Sequence, residues 1–229
     1  MWSKKSWEVP QIGNKKYKPT VFDNEQAKTL EKKNLQYKGL TGDGESGIIK
    51  IENFNPLSDS NVVPVLRRES QDWINTLTTE EVRAIKKYTQ NSGDPADDKF
   101  YARLNAMLRG DSAIDETLQY YSNLISDALH KNKLSYDIVC YRNMKMNVFA
   151  DFNVGDIFIP KQFLSASVTK NGVLSGNFKM KIQVKKGAKG AYIESLSKYP
   201  RQREFLLDKN CAYRILAKSD NTIEMEVIV

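Results

Sequence analysis

The spacing of apolar residues changes near residue 136, from a helical period before it to a strand-like period after it. The clearest helix follows Thr78, where Val82, Ile85 and Tyr88 recur at a spacing typical of one helix face. Thr78 and Glu81 form a capping box, in which each side chain can bond the exposed backbone amide of the other residue. This pattern predicts a helix that begins directly after Thr78.

Further segments carry the same helical period. One begins near Val63, and another runs from Phe100 to Gly110, where the glycine ends the helix. A longer segment is amphipathic and should pack one stripe on a core, and we expect Asp111 or Ser112 to cap it. Its stripe comprises Ile114, Leu118, Tyr121, Ile125 and Leu129. Residues 91–98 contain Gly, Pro and several carboxylate or amide side chains, which predicts a loop.

Short β-rich runs separated by turn residues fill the second half of the chain. Within 180–184 and 223–229 apolar residues alternate with polar ones, as in strands with one face exposed. The runs are 137–141, 157–159, 163–168, 180–184, 191–193, 205–207, 212–216 and 223–229. Helices followed by strands indicate an α+β domain.

The first sixty residues are polar and rich in turn-forming residues, apart from a possible short helix at 25–33. We therefore predict an N-terminal arm or leader over residues 1–60 and one folded domain over 61–229. The first seven residues lack the apolar core of a signal peptide, and no run reaches transmembrane length. This predicts an intracellular protein, or a secreted mature form whose export signal has been removed.

The composition and net charge are those of a globular protein and do not favour nucleic-acid binding. The 229 residues are 40% hydrophobic and carry a net charge of +7, which is typical of a globular protein with a basic surface. The basic residues are scattered and no nucleic-acid-binding motif accompanies them, so we expect a solvated surface and no nucleic-acid partner. A basic enzyme that binds a phosphorylated dinucleotide also fits. No Gly-x-Gly-x-x-Gly follows a strand, which disfavours a Rossmann dehydrogenase.

Metal and thiol chemistry are unsupported. Cys140 and Cys211 have no metal-ligand neighbours, and His130 is the single histidine, so zinc sets and two-histidine metal motifs are absent from the sequence. A serine-hydrolase triad is improbable for the same reason. Both cysteines lie in apolar strand-like runs, which predicts buried free thiols rather than a disulfide.

The segment 199–207 carries the most informative pair of polar residues. Gln202 and Glu204 stand where a turn-forming stretch gives way to an apolar run, and residues two apart on a strand point to the same face. An amide and a carboxylate would thus lie side by side, one able to bind a polar target and the other able to stabilise a cationic centre. Without the other motifs, a charged edge strand is the better explanation of the pair.

Two further groups stand upstream on predicted strands. Arg142 ends the first strand, where its planar guanidinium suits phosphate oxygens, although an arginine there is also an ordinary surface residue. Ser165 and Ser167 share one face of a later strand, and Phe163 on that face would flank their hydroxyls. By itself, this triplet is a strand with small polar residues.

An arginine, a Ser-x-Ser strand and a Gln-x-Glu pair, in this order and at these separations, resemble the mono-ADP-ribosyltransferase toxins. The glutamine of the third motif resembles the clostridial Rho-modifying exoenzymes in particular. The resemblance covers about residues 62–229 and implies N-terminal helices packed on two roughly perpendicular antiparallel or mixed β-sheets that flank an NAD cleft. The chain departs from the family pattern at Asn143, where many relatives have Gly, and at Ala166, where they usually have Thr.

The resemblance implies catalytic roles for four residues. Arg142 would hold the NAD phosphates, and Ser165 would orient Glu204 by a hydrogen bond. Glu204 would bind the ribose and stabilise the oxocarbenium-like state that forms when the bond to nicotinamide breaks. Gln202 would bind the acceptor, and its amide suits an asparagine, whereas a Glu at this place in relatives goes with arginine acceptors. NAD+ would be the substrate, with no metal.

The remaining contacts are also implied by resemblance. Ser167 and Phe163 would complete the NAD site. Asn105 and Arg109 would add phosphate or ribose contacts, since they belong to an Asn-x-x-Leu-Arg element that follows a Tyr-Thr pair. The alternative is that they form an ordinary helix face. Tyr199 resembles the exposed aromatic that presses on the protein target.

The resemblance implies transfer of ADP-ribose to a host protein, with an asparagine of a Rho-type small GTPase as the preferred acceptor. We expect a monomer that is secreted or delivered into a host cell. Two alternatives stay open: a phage- or bacterium-internal transferase with another target, and a non-catalytic interaction module with a degenerate transferase fold. The intact Arg142, Ser165 and Glu204 argue against the second alternative.

Overall fold

The computed structural model describes residues 49–51, 53–90 and 99–229, and within them the chain forms four helices followed by eight strands. The helices are α1 (Val62–Ile74), α2 (Thr79–Thr89), α3 (Phe100–Arg109) and α4 (Glu116–Lys131). The strands are β1 (Ile138–Met144), β2 (Ile157–Phe158), β3 (Leu164–Ser167), β4 (Phe178–Val184), β5 (Gly190–Tyr192), β6 (Glu204–Leu207), β7 (Ala212–Lys218) and β8 (Thr222–Ile228). The predicted helix at 25–33, the predicted loop at 91–98 and most of the predicted arm lie outside the described residues.

Two of the predicted helix ends form as expected, and a third differs. Thr78 and Glu81 form the predicted capping box at the start of α2, and Gly110 ends α3 with a left-handed backbone. The prediction that Asp111 or Ser112 caps α4 is wrong, because Asp115 does so by accepting a hydrogen bond from the Leu118 amide. Asp111 instead closes α3, since its amide donates to the carbonyl of Ala106. Ile114 consequently precedes α4 and is exposed rather than packed on the core.

All eight strands belong to one mixed sheet in the order β2-β7-β8-β4-β1-β3-β6-β5. Only β4 and β8 pair in parallel, and the other neighbours are antiparallel. The pairing between β1 and β3 consists of a single residue pair, Tyr141 with Ser167. We call this junction the seam, because it joins a five-strand part (β2, β7, β8, β4 and β1) to a three-strand part (β3, β6 and β5).

Two apolar cores lie on opposite faces of the three-strand part. Its residues Leu164, Ala166, Phe205 and Leu207 share a core with the five-strand part and the first turns of α1. The alternating residues Phe163, Ala191, Ile193 and Leu206 share a second core with α2, α3 and α4. The three-strand part is therefore packed on both faces, which fixes the position of its polar residues near the seam.

Residues just before α1 contact the domain. The amide of Asn55 donates to the carboxylate of Asp137 at 2.9 Å, and the amide of Leu57 donates to the backbone carbonyl of that residue at 2.9 Å. Farther upstream, the Ile49 amide donates to the Leu216 carbonyl at 2.9 Å. Part of the segment assigned to the arm thus lies against the sheet.

Both cysteines are buried and free, as predicted. Burial raises the pKa of the Cys211 thiol to about 12, and it raises that of Cys140 further. Neither thiol is thus a thiolate at neutral pH. Among the described residues, no helix combines the length and apolarity that a membrane crossing needs, and no group of three potential metal ligands occurs.

Candidate active site

The three sequence motifs meet at the seam. Arg142 lies on β1, Ser165 and Ser167 lie on β3, and Glu204 begins β6, so the motifs occupy three adjacent strands. One cleft is lined by Tyr141, Arg142, Asn143, Ser165, Ala166, Ser167, Gly172, Val173, Leu174, Gln202 and Glu204. The single-pair junction between β1 and β3 leaves the polar side chains of these strands open to this cleft.

Arg142 spans the seam with its side chain. Its Nη1 donates to the backbone carbonyl of Ser165 on β3. The strand continues for two residues past it, so the expectation that Arg142 ends the strand is wrong. The strand is longer because Asn143 and Met144 also pair with β4, opposite Lys179 and Phe178. Burial lowers the pKa of the guanidinium, yet an arginine side chain stays cationic in proteins. The cleft therefore holds a fixed positive charge.

Glu204 is the buried carboxylate of the cleft. Its side chain is only 6% exposed, and its residue pairs directly with Ser167 of β3. Burial raises the pKa of the carboxyl above its ordinary value, and the neighbouring Ser165 hydroxyl and Arg142 charge act in the opposite direction. A carboxylate held in such surroundings interacts strongly with a cationic partner, because little water screens the charge.

Gln202 reaches the cleft from a turn, not from a strand. It ends the short 3₁₀ turn Pro200–Gln202, and Arg203 follows in a left-handed conformation (φ 47°) before β6 begins at Glu204. The expectation that Gln202 and Glu204 share a strand face is therefore wrong, although both side chains line the same cleft. The turn places the amide at the half-buried edge of the cleft and the carboxylate in its interior.

A second turn closes one side of the cleft. After β3, Lys170–Gly172 form a 3₁₀ turn that packs on the turn carrying Gln202. A Cβ on Gly172 would lie 2.6 Å from the Gln202 carbonyl oxygen and would overlap the Ser167 hydroxyl. Only a glycine fits here, because any larger residue would force the two turns apart.

Tyr88 is a buried residue near Glu204 to which the sequence motifs assigned no role. It is 4% exposed at the end of α2, packs edge-on against Phe163 with 5.6 Å between ring centroids, and accepts a hydrogen bond from Asn105 at 3.1 Å. Burial raises the pKa of its hydroxyl, and the Glu204 carboxylate adds to the increase. Its position in the Tyr-Thr pair is the one sequence signal that points to it.

The other predicted residues lie around this centre. Phe163 is buried beneath Tyr88 in the helix-side core, at 2% exposure. Asn105 and Arg109 share α3; the buried Asn105 Oδ1 accepts no hydrogen bond from the described residues, and Arg109 binds Asp111 at 2.7 Å and the side chain of Gln162. Tyr199 begins the turn that carries Gln202 and is half-buried rather than fully exposed.

Four helices lie beside a split mixed sheet, with an arginine and a buried glutamate at the seam, as the resemblance to the ADP-ribosyltransferase toxins implies. Comparison with known proteins agrees. The sequence profile of the family described as ADP-ribosyltransferase exoenzyme matches residues 67–228. The match covers well over half of the chain, which therefore belongs to this family. The predicted family and fold are confirmed.

A curated relative gives the same class. The NAD(+)–arginine ADP-ribosyltransferase EFV of Enterococcus faecalis is 30% identical over 175 residues, which are 71% of this chain and 34% of the relative. The chain thus spans about a third of the length of that protein.

Solved structures share the fold. Plx2a, an ADP-ribosyltransferase toxin from Paenibacillus larvae, aligns with a TM-score of 0.62 and 22% identity over 76% of this chain and 98% of its own. The C3 exoenzyme of Clostridium limosum aligns with a TM-score of 0.63 and 19% identity over 78% of this chain and 98% of its own.

Proposed function

We propose that this chain transfers ADP-ribose from NAD+ to a protein side chain and releases nicotinamide, with residues 61–229 as the catalytic domain. One observation carries the proposal: Arg142, Ser165 and Glu204 come from three adjacent strands, meet at the seam, and line one cleft with Gln202 at its edge. This reaction needs three groups: a cation that binds the phosphates, a buried carboxylate that stabilises a developing positive charge, and an amide that faces the acceptor.

The reaction breaks the glycosidic bond between ribose C1′ and the nicotinamide nitrogen. Nicotinamide leaves with the bonding electrons, and positive charge develops on the ribose. Glu204, as the ionised carboxylate, binds the ribose and stabilises that charge, while Ser165 orients the carboxylate. The acceptor nitrogen then attacks C1′ and loses a proton. The low exposure of Glu204 supports this role, because burial strengthens its electrostatic effect.

The rest of the NAD+ molecule would lie between Arg142 and α3. Arg142 binds the phosphates, and Asn105 and Arg109 add contacts from the helix. The buried Asn105 Oδ1, which lacks a donor among the described residues, suits a ribose hydroxyl. Ser167 completes the site from β3. Phe163 would contribute to the site indirectly, because its ring packs edge-on against Tyr88 and fixes the position of that side chain.

We infer that the acceptor is an asparagine, on a Rho-type small GTPase. The side-chain amide of Gln202 can both donate to and accept from the amide of an asparagine. Tyr199 and Pro200, at the start of the same turn, would contact the target protein. The protein would act as a monomer after secretion or delivery into a host cell; the solved neighbour Plx2a is described as a toxin.

An arginine acceptor is the second candidate. The relative EFV is named as an arginine ADP-ribosyltransferase. Against it stands Gln202, because a carboxylate at this place would pair with a guanidinium and an amide cannot.

Two matched peptides separate the candidates. One carries a single Asn and the other a single Arg at the same position, and mass spectrometry measures the transfer of ADP-ribose from NAD+. We expect the wild-type chain to modify the Asn peptide and the Gln202→Glu variant to shift toward the Arg peptide. Gln202→Ala should lower transfer far more than NAD+ hydrolysis. Preferential modification of the Arg peptide by the wild-type chain would refute the asparagine assignment.

A further inference from the structure

The acceptor edge of the cleft is formed by two turns in direct contact. The turn Lys170–Gly172 packs on the turn Pro200–Gln202, and no side chain fits between Gly172 and the Gln202 carbonyl. Gln202, which faces the acceptor in the function proposed above, lies on this edge. We call the surface of the segments 168–177 and 195–203 around it the rim.

The charged residues of the rim are all basic. Its two segments contain four basic residues and no acidic residue. The basic residues are Lys170, Lys198, Arg201 and Arg203, and all but the half-buried Arg203 are exposed. Such a cluster creates a local positive potential beside the acceptor position.

Neighbouring carboxylates leave this charge largely in place. Glu194 precedes the second segment and interacts with Arg203, but Arg67 binds both of its oxygens, at 2.6 and 2.8 Å. Asp59 contributes, after burial, to the raised pKa of the Tyr141 hydroxyl, and the ring of Tyr141 lies 5.6 Å from the Lys170 ammonium, so Asp59 lies on the Lys170 side of the rim. Glu204 lies inside the cleft. Lys198 and Arg201 make no ion pair with any residue of the described ranges.

The rim is also held in place from below. The Lys198 amide donates to the hydroxyl of Thr89 at 3.1 Å, and Thr89 follows Tyr88 at the end of α2. The amide of Tyr199 donates to the Ser197 hydroxyl at 3.1 Å. These bonds use backbone groups, so the lysine and arginine side chains project from a fixed framework and can be replaced without removing it.

We propose that the rim recognises an acidic surface on the target protein, so that the modified residue is flanked by Asp or Glu. This proposal rests on the proposed function and extends it to the choice of target. Complementary charge speeds the encounter of the two proteins and disfavours basic targets. A nucleic-acid target fits less well, because the cations are confined to two turns around one cleft, whereas nucleic-acid binding uses a longer basic groove with stacked aromatic residues.

Six peptides of equal length test the proposal. Three carry a central Asn and three a central Arg, and in each series the flanking residues are Asp, Ser or Lys. The series that reacts identifies the acceptor residue. The preference among flanking residues within that series shows whether the rim recognises acidic neighbours. Failure of the asparagine assignment is thus distinguishable from failure of the present proposal. A single-stranded oligonucleotide serves as the nucleic-acid probe.

The readout is the ratio of kcat/KM for the Asp-flanked peptide to that for the Lys-flanked peptide. We expect a ratio of about ten or more at low salt for the wild-type chain, as electrostatic steering commonly gives. The ratio should fall as added salt screens the charges. The double variant Lys198→Glu/Arg201→Glu should bring the ratio to about one or below. Lys133→Glu makes the same change at an exposed residue beyond the end of α4 and should leave the ratio unaltered.

Several results would overturn the proposal: a ratio near one in the wild-type chain, an unchanged ratio in the double variant, or an equal loss in Lys133→Glu. Modification of the oligonucleotide in preference to every peptide would assign the rim to nucleic acid instead. Absence of transfer to all six peptides by a chain that still releases nicotinamide from NAD+ would overturn the present proposal, whereas absence of both activities would overturn the proposed function.

Discussion

Replacing Glu204 by glutamine should abolish activity and yet stabilise the fold. Glu204 is 6% exposed, and burial raises the pKa of its carboxyl despite the nearby Ser165 hydroxyl and Arg142 charge. The folded protein therefore holds this proton to higher pH than the unfolded chain. Stability contributed by the protonated form is lost as pH rises from the ordinary value of 4.5 through the raised pKa. Glutamine has the same shape and does not ionise, so it avoids this penalty.

The expected gain at neutral pH is about 1 kcal/mol, the usual size when a functional group is replaced by a better-tolerated one. For a domain of this size, that corresponds to a rise of about 2–4 °C in melting temperature. At about pH 4 the difference should shrink, because the carboxyl is then largely protonated in both states. Loss of the charge that stabilises the ribose cation should lower nicotinamide release by about 100-fold or more.

Thermal unfolding at both pH values and nicotinamide release at saturating NAD+ measure the two effects. Glu226→Gln is a matched control, since Glu226 is 5% exposed but pairs with Arg214 at 3.4 Å and Lys185 at 3.5 Å. That variant should lose stability, because it removes the carboxylate that pairs with the buried Arg214 and the half-buried Lys185. A Glu204→Gln protein that melts below the wild type at neutral pH, or that releases nicotinamide at a comparable rate, would refute the expectation.

Three further outcomes are expected. Arg142→Ala should weaken NAD+ binding in calorimetric titration by about 10-fold or more, the worth of a charge-assisted hydrogen bond, while Arg68→Ala on the exposed side of α1 leaves affinity unchanged; equal affinities would exclude the phosphate role. Gly172→Ala should destabilise the protein by about 1–3 kcal/mol and impair transfer, because its methyl group meets the Gln202 carbonyl at 2.6 Å; normal melting and transfer would show that the two turns separate freely. A truncated chain beginning at Asn55 should fold and hydrolyse NAD+. Its melting temperature should fall slightly, because the hydrogen bond from Ile49 to Leu216, which contributes about 1 kcal/mol, is lost. Collapse of folding and hydrolysis together would place the arm in the catalytic core.

Most secondary structure can be predicted from the sequence because the governing signals are local. The capping box of Thr78 and Glu81 fixes the start of α2, and alternation of apolar residues marks β4 and β8. The start of α4 cannot be chosen in the same way, because the predicted caps Asp111 and Ser112 and the actual cap Asp115 are all residue types that favour this position. The choice depends on Asp111 being used to close α3, which is a contact that residue spacing does not reveal.

The candidate site can be predicted as a set of residues but not as a geometry. Three motifs in order identify Arg142, Ser165 and Glu204, and the structure brings them to one seam. Their arrangement depends on strand pairing between distant segments, above all the single pair of Tyr141 with Ser167. The two-residue spacing of Gln202 and Glu204 suggests a shared strand face, whereas the left-handed Arg203 between them forms a turn. Such a conformation is uncommon for a residue other than glycine, so no residue type in this segment signals it.

The proposed chemistry is best tested by nicotinamide release from NAD+ by the purified chain, in buffer without any acceptor protein. We predict release well above the spontaneous rate, and loss of that release when Glu204 is replaced by glutamine. Release indistinguishable from buffer alone would refute the proposed chemistry, and would favour a non-catalytic interaction module that keeps the transferase fold.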